Sequence, residues 1–76
     1  MKISIIGAGN IGSTLALRVL ERNLADVVLL DIVPGLAKGK AQDLYDALAL
    51  TGGAHQIIGT EDYTETKNSE IIVITA

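Results

Sequence analysis

Residues 2–31 read KISIIGAGNIGSTLALRVLERNLADVVLLD, and this stretch decides the fold. An apolar run from Lys2 to Ile6 leads into a glycine-rich turn that opens an amphipathic segment, Asn10 to Arg22. A second apolar run follows, and Asp31 stands at its end. This order of strand, glycine-rich turn, helix, strand and terminal acid is typical of a dinucleotide-binding βαβ unit.

The turn contains the pattern Gly-x-Gly-x-x-Gly at Gly7, Gly9 and Gly12. In such a turn Gly7 ends the strand tightly, Gly9 admits a pyrophosphate close to the backbone, and Gly12 allows the helix to pack closely on the sheet. The first helical amides, around Asn10 and Ile11, then point at the phosphates with the helix dipole behind them. Glycines can also serve only to make a turn, but the flanking strands, helix and acid favour binding.

Asp31 lies 19 residues after Gly12, at the end of the second strand. A carboxylate here can accept hydrogen bonds from both hydroxyls of an adenosine ribose, and it would repel a 2′-phosphate. The next residue is Ile32 rather than an arginine, so the sequence predicts a preference for NAD over NADP. Ile32 could flank the adenine, although an apolar residue after a strand is more often part of the core. The alternative role for Asp31 is to cap the turn that follows it.

The rest of the chain predicts a second helix and two more strands. Pro34 suits a first helical turn, and an apolar stripe at helical spacing then runs to residues 51–53. Gln56 to Gly59 is a third strand, Thr60 to Ser69 a polar connection with room for a helical turn, and Glu70 to Thr75 a fourth strand. We therefore predict an α/β fold, half of a doubly wound Rossmann domain in the order β-α-β-α-β-β. Its parallel four-stranded sheet carries both helices on one face and is expected to lack a cover on the other.

Composition bounds the possible functions. Seventy-six residues allow one small domain, residues 1–76, and 49% hydrophobic content excludes a disordered chain. There is no cysteine, so disulfides and thiolate metal sites are excluded. A net charge of −3, six scattered basic residues and two tyrosines as the only aromatics give little support for nucleic-acid binding. No apolar run approaches the ~20 residues of a membrane helix, and we expect a cytoplasmic location.

Several motifs together give the chain a resemblance to a known family. They are Ile5 to Thr14, Leu29 to Val33, Gly39 to Leu44, Gly59-Thr60 with Asp62-Tyr63, and Ser69 to Ala76. Over essentially its whole length the chain resembles the N-terminal part of the lactate/malate dehydrogenase family, and within it the malate dehydrogenases of the bacterial lactate-dehydrogenase-like type. The resemblance implies a truncated half-domain whose parent enzyme oxidises malate with NAD.

The resemblance also implies a role for each residue of the cleft. The pyrophosphate of NAD would be held by the glycine-rich turn and the first helical amides, from Gly7, Gly9, Asn10, Ile11 and Gly12. Asp31 would hold the adenosine ribose, and Thr75 and Ala76 would border the adenosine side. The helix bearing Asp43 lies at a subunit interface in relatives, although its exposed face could equally be solvated. The catalytic histidine and the substrate-binding arginines of the family lie beyond residue 76, so we assign no catalytic residue and expect no turnover.

Other polar residues and two rival functions complete the expectations. His55 is expected to be a surface histidine, and the acidic residues between residues 61 and 70 a solvated connection rather than a metal site. The chain could instead be a self-associating Rossmann core that no longer binds a cofactor, and Asp31 would then hardly matter. A domain for FAD or S-adenosylmethionine is a third possibility, which the motif Gly39 to Leu44 opposes. For a binder or a scaffold we expect a homodimer through the open sheet face or the fourth-strand edge.

Overall fold

A computed structural model describes residues 1–49 and 55–75 of the chain. Its elements are β1 (Lys2–Ile6), α1 (Asn10–Glu21), β2 (Asp26–Leu30), α2 (Leu36–Leu48), β3 (Ile57–Thr60), a 3-10 helix (Tyr63–Thr66) and β4 (Ile71–Ile74). The strands form one sheet in the order β3-β2-β1-β4, and each neighbouring pair is parallel. This is the predicted half of a doubly wound α/β domain. The predicted end of the second helix, at residues 51–53, lies outside the described residues.

The boundaries differ from the prediction in small ways that have local causes. β3 and β4 each begin one residue later than the sequence predicts. The second helix begins at Leu36, because Gly35 adopts a left-handed backbone with φ of 78° at its N-cap. Pro34 therefore lies in the turn before α2 and not in its first helical turn. Neither helix in the described ranges is long and apolar enough to cross a membrane.

The core lies between one face of the sheet and the two helices. Side chains alternate along each strand, so every second residue of β1 and β2 points at the helices. The residues of this core are Ile3, Ile5, Val27 and Leu29 from the strands and Ala16, Val19, Leu20 and Ala37 from the helices. The connections from β1 to β2 and from β2 to β3 advance in the same direction across the sheet. Since such crossovers are right-handed, both helices lie on the same face, as predicted.

The opposite face of the sheet is covered at its centre by the connection from β3 to β4. These are the two edge strands, so the connection has to cross β2 and β1. Beneath it, Ser4, Val28 and Leu30 are at most 2% exposed, and Ser4 Oγ lies 2.5 Å from Ser69 Oγ. The expectation of a face without a cover is therefore wrong at the centre. It holds at the flanks, where isoleucines remain at least 45% exposed: Ile58, Ile72 and Ile74.

Acidic side chains in this connection bind backbone amides. Asp62 Oδ1 accepts from the Thr64 N–H at 2.9 Å and so caps the 3-10 helix, and Glu70 Oε2 accepts from the Lys2 N–H at 2.5 Å. These amide donors stabilise the ionised carboxylates and lower the pKa of Asp62 and of Glu70 below their ordinary values. Within residues 1–49 and 55–75 no cluster of acids and histidines could hold a metal ion. Asp62 and Glu70 serve the local fold.

Candidate dinucleotide-binding site

The predicted site residues meet at the carboxyl-terminal end of the sheet, where all four parallel strands end. Because the strands are parallel, the segments that follow them lie side by side at this end. Backbone hydrogen bonds continue the sheet beyond its strands and fix these segments to one another. The Thr75 N–H donates to the Ile6 carbonyl at 2.8 Å, and the Gly7 N–H donates to the Leu30 carbonyl at 2.7 Å. Ala76 lies outside the described residues.

Two of the three motif glycines stand where a side chain would collide with the protein. Gly7 has φ of 111°, and a Cβ there would lie 2.2 Å from Thr75 Oγ1 and 2.9 Å from the Thr75 carbonyl oxygen. A Cβ at Gly12 would lie 1.7 Å from the Gly7 carbonyl oxygen. Backbone approaches this close are possible only without a side chain. Gly7 and Gly12 thus hold the turn tightly between β1, α1 and the residue after β4.

The middle glycine faces open space. A Cβ at Gly9 would meet no atom of the described residues within 4 Å. Gly9 is the N-cap of α1, and no side chain of the described residues accepts from the amides of this helix end. Asn10 and Ile11 are exposed beside it, Ile11 by 71%. The helix N-terminus therefore presents unbound N–H groups and the positive end of its dipole to an open cleft, which is the arrangement that binds phosphates.

Asp31 is fixed at the adjoining corner of the cleft by two backbone amides. Its Oδ2 accepts from the Ala8 N–H at 2.8 Å, and its Oδ1 accepts from the Val33 N–H at 2.9 Å. These hydrogen bonds, with that of Ala8 the larger influence, lower the pKa of Asp31 below its ordinary 3.8 and keep it ionised. Each carboxylate oxygen retains a second lone pair that can accept from a ribose hydroxyl. Asp31 thus caps the turn after β2 and can still accept a hydrogen bond from a ligand hydroxyl.

Two other predicted site residues lie beside the glycine-rich turn and Asp31. Thr75 lies against the glycine-rich turn, where its hydroxyl donates to the carbonyls of Ile6 at 3.2 Å and Gly7 at 3.3 Å. Ile32 is 78% exposed, so the alternative that it is simply part of the core is wrong. An exposed isoleucine next to Asp31 is placed to contact a flat apolar group such as an adenine.

The structure keeps His55 away from this site. His55 Nδ1 lies 3.1 Å from Asp26 Oδ1, and its Nε2 lies 3.0 Å from the Asn23 carbonyl oxygen. Asp26 begins β2, so this contact is at the opposite edge of the sheet from the cleft. His55 is half-buried rather than a free surface side chain. It joins the α1–β2 connection to the start of β3 and takes no part in the candidate site.

Sequence reasoning missed one acid beside the site. Glu61, predicted to belong to a solvated connection, accepts from the Gly35 N–H through Oε2 at 3.2 Å. The Gly35 amide belongs to the same turn that Asp31 caps from its other end. The order of the strands could have indicated this contact, because Glu61 directly follows β3 just as Asp31 directly follows β2. This indication becomes visible only once the register that pairs Leu30 with Thr60 is known.

The sequence profile of the lactate/malate dehydrogenase NAD binding domain matches residues 1–76. The chain belongs to the lactate/malate dehydrogenase family. Among relatives, the malate dehydrogenase of Dehalococcoides mccartyi is 55% identical over 75 residues, which is 99% of this chain and 24% of that protein. That of Nostoc sp. is 56% identical and matches 99% of this chain and 23% of its own length. The chain thus spans about a quarter of the family members that it matches.

Solved structures of the family have the same fold. A malate dehydrogenase from Plasmodium falciparum in complex with NADH is 42% identical and superimposes with a TM-score of 0.96, over 100% of this chain and 25% of that one. A lactate dehydrogenase from Cryptosporidium parvum, complexed with lactic acid and nicotinamide adenine dinucleotide, is 44% identical with a TM-score of 0.94. This match covers 99% of this chain and 24% of that one. The chain therefore has the fold of one half of the doubly wound domain found in these proteins.

Proposed function

We propose that this chain binds NAD(H) at the carboxyl-terminal edge of its sheet and prefers it to NADP(H). The observation that carries this proposal is the position of Asp31. Its carboxylate is fixed by two amides next to the open space at Gly9 and the uncapped N-terminus of α1. A pyrophosphate at the helix end and a ribose at the carboxylate are neighbouring parts of one dinucleotide.

In this proposal each site residue has one role. The pyrophosphate binds over Gly9 and accepts from the amides near Asn10 and Ile11, while Gly7 and Gly12 maintain the shape of the turn. Asp31 accepts from the hydroxyls of the adenosine ribose. The adenosine side is bordered by Ile32, Thr75 and Ala76. The family resemblance places the catalytic histidine and the substrate-binding arginines beyond residue 76, so the proposal assigns cofactor binding and no catalytic role to these residues.

We also propose that the chain is the N-terminal part, residues 1–76, of an NAD-dependent malate dehydrogenase. The sequence relatives named above are malate dehydrogenases of which it spans about a quarter. In such an enzyme hydride passes between malate and NAD, and groups outside this chain bind the malate. The chain alone is expected to bind NADH with a Kd in the millimolar range, on the order of 1 mM, because contacts to the nicotinamide half are missing.

A homodimer in the cytoplasm is part of the same proposal. The flanks of the second sheet face expose apolar side chains on the two edge strands, Ile58 on β3 and Ile72 and Ile74 on β4. Exposed apolar surface beside an unpaired strand edge favours association with a second copy. The cytoplasmic location is proposed because NAD(H) is an intracellular coenzyme. Sedimentation equilibrium checks the dimer, and a chain that remains monomeric at millimolar concentration contradicts it.

An NADH titration tests the proposed binding. NADH fluorescence and ligand-observed NMR are followed for the chain, for Asp31→Ala and for a matched control, Asp43→Ala, which removes an exposed carboxylate from α2. We expect saturable binding that favours NADH over NADPH, about a tenfold loss in Asp31→Ala, and no change in the control. Absence of binding at every reachable concentration would support the alternative of a self-associating scaffold.

A further inference from the structure

We infer that Glu61 is a second determinant of coenzyme specificity. Together with Asp31, it prevents the 2′-phosphate of NADP(H) from binding at the turn after β2. This inference rests on the proposed binding of NAD(H) by this chain. The turn in question, residues 32–35, follows Asp31 and leads into α2. A phosphate on the 2′-oxygen of a ribose at Asp31 would have to lie against this turn.

Asp31 and Glu61 directly follow two neighbouring strands, β2 and β3, at equivalent positions. Leu30 and Thr60 are paired in the β2–β3 register, and Asp31 and Glu61 are the next residues. The Asp31 N–H donates to the Thr60 carbonyl at 3.2 Å, which continues the pairing beyond the strands. Adjacent strands lie about 4.8 Å apart, so two negative charges begin side by side at this corner of the cleft.

Two backbone amides of the turn already donate to carboxylates and are not available to a phosphate. The Val33 N–H donates to Asp31 Oδ1 at 2.9 Å, and the Gly35 N–H donates to Glu61 Oε2 at 3.2 Å. Pro34, between them, has no N–H. Amides of such turns can form an anion-binding concavity, but here carboxylates of the protein already accept from them. The turn also contains no basic side chain.

Glu61 also places a negative charge near the N-terminus of α2, where an external anion would otherwise bind. The helix has Gly35 as its N-cap, no side chain caps it within the described residues, and its first turn, Leu36 to Gly39, contains no acid. The positive end of a helix dipole attracts an anion when no acidic residue is present. Glu61 supplies that negative charge from the position directly after β3, and its hydrogen bond to Gly35 fixes the shape of the turn that carries Ile32.

Two substitutions separate charge from shape. Glu61→Gln retains a carbonyl oxygen that can accept from the Gly35 N–H but removes the charge, and Glu61→Ala removes both. The matched control is Glu65→Gln, because the Glu65 carbonyl contacts Lys2 at the opposite edge of the sheet. Each variant of the chain is titrated with NADH and NADPH at low and high salt, and its amide NMR spectrum reports whether it is folded.

We expect Glu61→Gln to bind NADPH about three- to tenfold more tightly, with NADH affinity changed less than about twofold, and the gain to diminish at high salt. Glu61→Ala should show the same gain together with a shifted Gly35 amide resonance and weaker NADH binding. An unchanged NADPH/NADH ratio in a folded Glu61→Gln overturns the inference, as does an equal gain in Glu65→Gln. If the unsubstituted chain binds neither coenzyme, it is the proposed function that fails.

Discussion

The two strand-to-helix turns of this chain use their backbone amides in opposite ways. The turn after β1 leaves Gly9 facing open space and the N-terminus of α1 without a side-chain cap. In the turn after β2, two amides donate to carboxylates, those of Asp31 and Glu61. Two turns of the same topology, next to each other where the strands end, thus present opposite hydrogen-bonding groups, free N–H donors in the first and carboxylate acceptors in the second. In our proposal the first receives a phosphate, and the second excludes one while offering acceptors to hydroxyls.

The largest expected effect on stability comes from adding a side chain where the backbone of the first turn is packed most closely. Gly12→Ala would place Cβ 1.7 Å from the Gly7 carbonyl oxygen, so α1 or the turn must move. Alanine favours a helix over glycine by about 1 kcal/mol, but displacing backbone costs about 3 kcal/mol or more. We expect this variant to be largely unfolded in circular dichroism at ambient temperature. A variant as stable as the parent chain would contradict the close packing assigned to Gly12.

The next effect separates binding from stability in the same turn. Gly9→Ala adds a methyl group that meets no described atom within 4 Å, so the thermal midpoint should stay within the error of measurement. The same methyl group stands where the pyrophosphate is proposed to lie, and we expect NADH affinity to fall at least about tenfold, or about 1.4 kcal/mol. Retained NADH binding in a stable Gly9→Ala would place the phosphates elsewhere.

A smaller effect, dependent on pH, tests the second turn. The pKa of Asp31 is lowered by the amides that it accepts from, so its ionisation stabilises the folded state above the ordinary value of 3.8. That stabilisation is lost as the pH falls through the lower pKa of the folded state. The thermal midpoint of Asp31→Asn should therefore be below that of the parent chain at neutral pH, and the two should converge below pH 3.8. A difference that does not vary with pH would contradict the amide contacts.

The smallest effect provides a control for the glycine substitutions. A Cβ at Gly39 also meets nothing within 4 Å, but Gly39 lies inside α2 and not in either turn. Gly39→Ala should raise the free energy of unfolding by about 0.5 to 1 kcal/mol, through helix propensity alone, and leave NADH affinity unchanged. Chemical denaturation and the NADH titration measure both quantities. A loss of affinity here would mean that alanine substitutions perturb the cleft from a distance.

The sequence predicts most of the fold and of the first turn, since both depend on local patterns. Strand β1 and helix α1 follow from apolar periodicity, and Gly7 and Gly12 from backbone needs that only glycine meets. The start of α2 was harder to predict. Pro34 suits a first helical turn, but the left-handed backbone of Gly35 makes the helix begin after it.

Features that depend on register or on a crossover were not predictable in the same way. Glu61 has no local pattern that distinguishes it from a solvated acid, because its partner Gly35 lies 26 positions away. The burial of Ser4 depends likewise on a connection that crosses the sheet between its two edges. The polar composition of that connection predicts an exposed segment, and nothing in its sequence predicts that it covers the strands.

The position of β1 at the centre of the sheet has a consequence for how the chain folds. β1 pairs with β2 after one short crossover, but Ile3 pairs with Ile71, at the far end of the described chain. Closing the longer loop costs more conformational entropy, and non-local pairing slows folding. β4 is therefore expected to join last and to detach first. Since Thr75 follows β4 and contacts Gly7, each such local opening would also uncover one wall of the glycine-rich turn.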